Sequence, residues 1–132
     1  MWRGIRINTD GSLATVELDD TTPALQARSL NEAIGCEGYE LVPFGHSIAI
    51  FVGEDERRRS ALNVELSIMA RSAGYGGVIF GAGVFLGVNH DTGDTYSLSS
   101  EDIKTIVTMW GRPRTSREYN SVLAGAGLSL TA

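Results

Sequence analysis

With 132 residues, the chain has room for one sizeable hydrophobic core and not for two. A composition 42% hydrophobic and 20% charged is globular, and a net charge of −5 disfavours general binding to nucleic acid or anionic lipid. The lone cysteine, Cys36, excludes an intramolecular disulfide and leads us to expect a cytoplasmic setting.

Trp2 to Asn8 alternates, with Ile5 and Ile7 on one side, and Asp10-Gly11 turns the chain before Ala14, Val16 and Leu18 alternate again, which predicts a hairpin. Thr22-Pro23 starts a helix whose apolar face is Leu25, Leu30, Ala33 and Ile34 and which Gly35 closes. Tyr39–Phe44 and Ile48–Val52, parted by Gly45-His46-Ser47, read as a second hairpin. Glu54-Asp55-Glu56 then lead Arg57-Arg58-Arg59 into a helix marked by Leu62, Leu66 and Met69 and ended at Gly74, with the acids favourable to its dipole.

Tyr75 to Val88 is rich in glycine, valine and phenylalanine and predicts one long bent strand or two short ones inside the sheet. Its apolar core is far shorter than the roughly 20 residues of a membrane helix, so no membrane is expected as a partner. Ser99 and Asp102 resemble a capping box ahead of Ile103, Ile106, Val107 and Trp110, and Gly111 and Pro113 stop that helix. The expected fold class is therefore α+β: a small, mostly antiparallel sheet of two hairpins and the Gly/Val/Phe-rich strand, packed with two or three helices. Residues 1–113 form that domain, and residues 114–132 form an extension with a short helix near Ser116–Leu123 and an apolar tail, Ala124 to Leu130, suited to docking in cis or pairing with a second copy.

No catalytic constellation emerges, and nothing calls for a cofactor or metal. Gly81-Ala82-Gly83 with Gly87 lacks the helix start a dinucleotide loop needs and reads as close packing within a strand. Asp91-Thr92-Gly93 matches the aspartic-protease tripeptide, but His90, Asn89 and Asp94 around it describe a turn. His46 and His90 have no partner at ligand spacing, and Cys36 sits in a Gly-Glu-Gly loop whose acid disfavours a thiolate.

The chemistry that remains is C-terminal. Trp110, Arg112, Arg114, Arg117 and Tyr119 place three guanidinium groups and two rings within ten residues, a set that can hold phosphates and stack on a base or sugar. Arg57, Arg58 and Arg59 form a second expected anion site. For both, the structural alternative is a set of solvated or helix-capping arginines.

The helix ending in Ile34-Gly35 with Tyr39-Glu40-Leu41-Val42 after it, Asn63, the run Val78 to Gly87, and Tyr96-Ser97-Leu98-Ser99-Ser100-Glu101-Asp102-Ile103 through Trp110-Gly111-Arg112-Pro113 together resemble an uncharacterised phage and plasmid family, domain-of-unknown-function family three-eight-four-six. The Glu54 to Arg59 run and the stretch after Pro113 depart from it. The resemblance implies a mobile-element origin and carries over no activity. We expect a non-enzymatic phage accessory protein that sequesters a host signalling nucleotide or host factor to counter a defence or regulatory pathway, with a small phosphorylated ligand or a host protein as partner and a homo-oligomer as its form. An alternative is an interaction module whose acids, Asp19, Asp20, Glu54, Asp55 and Glu56, occupy a nucleic-acid-binding host protein; another is a small metal-dependent hydrolase using His90, Asp91 and Asp94.

Overall fold

Both expected hairpins form in the computed structural model, which describes residues 1–128. Strand β1 (Trp2–Ile7) pairs antiparallel with β2 (Leu13–Leu18), and β3 (Tyr39–Phe44) pairs antiparallel with β4 (Ile48–Gly53). The hairpins do not meet directly. Strand β5 (Gly83–Val88) lies between them, antiparallel to both β1 and β4, and the two-residue β6 (Thr95–Tyr96) folds back on its end, giving the order β2-β1-β5-β4-β3 with β6 beside β5. Central placement explains why β5 is buried along its whole length while β2 and β3, at the edges, alternate.

Helix α1 (Pro23–Ile34) carries the chain from one edge strand to the other. Thr22 caps it by accepting the Leu25 N–H, and Gly35 ends it at φ 81°, in the left-handed region. Leu30 and Ile34 press onto Leu18, Phe51, Val84 and Leu86, covering one face of the sheet. Each such aliphatic side chain contributes roughly 1.5–3 kcal/mol by burial. Leu25, expected on the apolar face, is 36% exposed because it lies in the first turn, before the helix has reached the sheet.

The opposite face is covered by α2 (Val64–Ser72) and α3 (Ser100–Gly111), whose Leu66, Met69, Ala70 and Ile106 meet Ile5, Ile7, Ile50 and Phe85. A fourth helix, α4 (Ser116–Gly125), packs against α2 and buries Val122. The molecule is thus the expected α+β arrangement in three layers: three helices pack on the sheet within the domain, and α4 forms where a short helix was expected in the extension. Among the described residues no helix is long and apolar enough to cross a membrane.

Three local expectations need correction. The acidic run does not lead α2: Glu56–Arg58 closes a separate 3₁₀ turn, and α2 starts at Val64 because Asn63 supplies its N-cap. Leu62 lies before that cap, in an isolated bridge to Phe80. Tyr75 to Val88 is strand only from Gly83 onward, since Gly74 and Gly81 adopt φ 102° and 83° and bend the chain away from the sheet. Gly83 is required where the strand begins, because a Cβ there would run into the Leu66 side chain above it. That is close packing, the role expected for these glycines, and no helix starts among them. The end of the expected apolar tail, positions 129 and 130, lies outside the described residues.

Candidate functional site

The C-terminal cluster separates into three environments. Trp110, in the last turn of α3, is half-buried against the core and donates its indole N–H to the Gly11 carbonyl at 2.8 Å, which pins α3 to the β1–β2 turn. Arg114 turns inward: its side chain is only 3% exposed, and its Nε donates to Glu65 Oε2 at 3.1 Å. Tyr119 donates its hydroxyl to the other oxygen of Glu65 at 3.4 Å. Arg114 and Tyr119 therefore meet at Glu65 in the first turn of α2 and join the extension to the domain.

Arg112 forms a two-pronged pair with Glu118, Nη1 to Oε1 at 3.2 Å and Nη2 to Oε2 at 2.6 Å. Glu118 is also the reciprocal member of a capping box with Thr115, which fixes the first turn of α4. Thr115-Ser116-Arg117-Glu118 carries that signature openly. The Arg112 hydrogen bonds, followed by the Thr115 N–H, lower the Glu118 carboxyl from 4.5 to about 2. Because the folded value lies below the unfolded one, this contact contributes its stability above about pH 4.5 and loses it as pH falls toward 2. In a carbon-detected NMR titration, Glu118 should remain ionised at pH 3, and Arg112→Ala should return its midpoint toward the ordinary glutamate range.

Arg117 is the guanidinium in the cluster that makes no ion pair or hydrogen bond among the described residues. It lines a cleft of about 340 Å³ between α2 and α4, together with Ile68, Arg71, Ser72, Glu118, Ser121 and Val122. Arg71 was not singled out in the sequence. It is held in place by donating to the Gly76 and Gly77 carbonyls at 3.1 and 3.0 Å and to Ser121 Oγ at 3.1 Å. Its last-turn position on α2 also suits the negative end of the helix dipole. Glu118, the one carboxylate in this lining, is already paired with Arg112, so Arg71 and Arg117 make the cleft a basic locality on a chain of net charge −5.

Of the second expected anion site, Arg57 has contacts of its own. Arg57 lies over the Phe80 ring at 5.2 Å and donates to the Ala126 carbonyl at 2.8 Å, tying the end of α4 to the 3₁₀ turn. Arg59 is exposed, and the Arg58 side chain lies outside the described residues. The acids are divided: Asp20 pairs with the N-terminal amine at 3.0 Å, Asp19 accepts from Thr21, and Glu56 is buried, accepting from Ser60 Oγ.

His90, Asp91 and Asp94 sit in the turn between β5 and β6, as a turn reading of Asp91-Thr92-Gly93 requires. Asn89 Oδ1 accepts from the Asp91 and Thr92 N–H groups, and Asp94 accepts from the Thr92 hydroxyl. Among the described residues no three His, Cys, Asp or Glu side chains come close enough to share a metal ion. Cys36 is half-buried beside Asn31, and burial, followed by the charge of Glu56, pushes its thiol upward. Alkylation of the native chain at pH 8 should accordingly run several-fold slower than alkylation of the urea-unfolded chain, in a thiol-release assay.

The fold and these surfaces define a small α+β protein with open surface clefts and an antiparallel sheet enclosed between helices. The chain belongs to the domain-of-unknown-function family DUF3846, whose model matches residues 2–111. No curated protein and no solved structure matches it. The matched span ends before α4, so the cleft at Arg117 has one wall within the family domain and one beyond it.

Proposed function

We propose that the protein captures a small phosphorylated ligand in the cleft between α2 and α4 and releases it unchanged. On this reading it is an accessory protein of a phage or plasmid, withholding a host signalling nucleotide from a defence or regulatory pathway. The observation that carries the proposal is the convergence of Arg71 and Arg117 on one cleft with an apolar floor, Ile68 and Val122, and two hydroxyls, Ser72 and Ser121. A volume of about 340 Å³ falls at the lower end of the roughly 300–1,000 Å³ of small-molecule sites.

Arg71 is preorganised by its carbonyl contacts, so little side-chain entropy is lost when it meets a phosphate. Arg117 supplies the second guanidinium, with no ion pair or hydrogen bond of its own among the described residues. The base would lie on the apolar floor instead of against Trp110, whose indole N–H is committed to Gly11.

Native mass spectrometry of the intact chain with a panel of cyclic and ADP-ribose-derived nucleotides tests this. One nucleotide should be retained at its unaltered mass, and Arg117→Glu should weaken its retention at least tenfold, the loss of about one charge-assisted hydrogen bond and its replacement by repulsion. A retained species of altered mass would indicate turnover and overturn the proposal, as would retention indifferent to Arg117→Glu.

A further inference from the structure

A cavity lies at the other end of the sheet, where nothing in the proposed function reaches. It measures about 610 Å³ and is bounded by the β3–β4 turn, the β5–β6 turn, β6 and the first turn of α3. Those elements bring together both histidines of the chain, His46 and His90, with Asp91, Asp102 and the half-exposed ring of Tyr96. The sequence separates these residues, and only the pairing of β5 with both β4 and β6 unites them. The cavity lies entirely inside the span that defines the family.

Its chemistry is the inverse of the α2–α4 cleft. No lysine or arginine lines it, while Asp91 and Asp102 do. Around it, polar side chains are committed locally: Asn89 closes its turn, Asp94 accepts from Thr92, Ser97 accepts from the Arg3 N–H, and Ser99 caps α3. The side chains of His46, His90, Asp91 and Asp102, by contrast, make no hydrogen bond or ion pair among the described residues. Four unspent polar groups and one aromatic face therefore border a single concavity. Gly87 lets the chain at β6 approach β5 closely, since a Cβ there would press on the Ser97 carbonyl at 3.1 Å.

We propose that this cavity is a second binding site, for a small organic cation. The carboxylates of Asp91 and Asp102 supply the counter-charge, the Tyr96 ring supplies a cation–π face, and an imidazole ring nitrogen can accept a hydrogen bond from an ammonium or guanidinium group. A phosphorylated ligand is disfavoured here, because it would meet two carboxylates and no fixed cation.

Two histidines make the test direct. Their imidazole Cε1–H signals are followed by NMR at pH 7.5 while putrescine, tetramethylammonium, inorganic phosphate and zinc are added separately. The expected result is a saturable shift of both signals with putrescine, weakened at least tenfold in Asp91→Asn/Asp102→Asn and retained in Arg117→Glu, which alters only the α2–α4 cleft. Amide spectra of the double variant verify its fold, and Tyr96→Leu provides an independent variant that should weaken tetramethylammonium more than putrescine. A shift caused by phosphate or zinc and not by putrescine, or a putrescine shift unaffected by the double substitution, would overturn the proposal.

Discussion

Asn63→Ala should destabilise the protein by about 3–5 kcal/mol, a large share of the roughly 5–15 kcal/mol available to a domain of this size. Asn63 is fully buried and serves three elements simultaneously. Its Oδ1 accepts the Leu66 N–H and starts α2, and its Nδ2 donates to the Ile7 carbonyl at 3.1 Å and the Gly81 carbonyl at 2.9 Å. Removing the side chain loses a cap, worth about 1 kcal/mol, and strips two buried carbonyls of a donor, at about 1–3 kcal/mol each. Asn63→Asp separates these contributions: it retains the cap acceptor but replaces the donor with acceptors, so it should remain strongly destabilised. Urea denaturation provides the measurement, and a loss below about 1 kcal/mol for Asn63→Ala would refute this role.

Arg114→Ala should cost about 2–3 kcal/mol by leaving Glu65 without its cation, below the roughly 3–5 kcal/mol of a fully buried broken pair because Glu65 retains 24% exposure. The pair itself is not ideally satisfied, since Arg114 Nη1 is buried with no hydrogen-bond partner. Replacing both partners with apolar residues, Arg114→Met with Glu65→Leu, should therefore recover most of the loss. A double-mutant cycle monitored by thermal unfolding distinguishes this from an additive outcome. Additivity would mean that Arg114 and Glu65 do not act as a pair and that the extension is held to α2 by other contacts.

What the sequence reveals about this fold follows the reach of each interaction. The β1–β2 and β3–β4 hairpins and the starts of α1 and α3 rest on neighbours within a few residues, so Asp10-Gly11, Thr22-Pro23 and Ser99 announce them. The start of α2 was misplaced because the charged run before it is conspicuous, whereas the actual cap, Asn63, draws its importance from carbonyls 56 and 18 positions away. The end of the Gly/Val/Phe-rich segment in β5 was legible, and its beginning was not, because Gly74 and Gly81 redirect the backbone without disturbing the apolar pattern.

The candidate site shows the same division. Arginine clustering near the C-terminus is visible in the sequence, but the assignment of each guanidinium depends on a distant carboxylate. Glu65 captures Arg114 and Glu118 captures Arg112, while Arg71, from another helix, joins Arg117. Arg71 carries no local signal beyond a basic residue in the last turn of a helix, an ordinary feature. Likewise, His46 and His90 become neighbours only through the sheet.

Amide chemical-shift mapping with the nucleotide retained in native mass spectrometry tests the central claim most directly. The account predicts saturable shifts concentrated at Ile68 to Ser72 on α2 and Arg117 to Val122 on α4, absent in Arg117→Glu, with the nucleotide signals themselves unchanged over hours. Shifts confined to the opposite end of the sheet, around His46, His90 and Tyr96, would contradict it and move the phosphorylated ligand to a site without arginine.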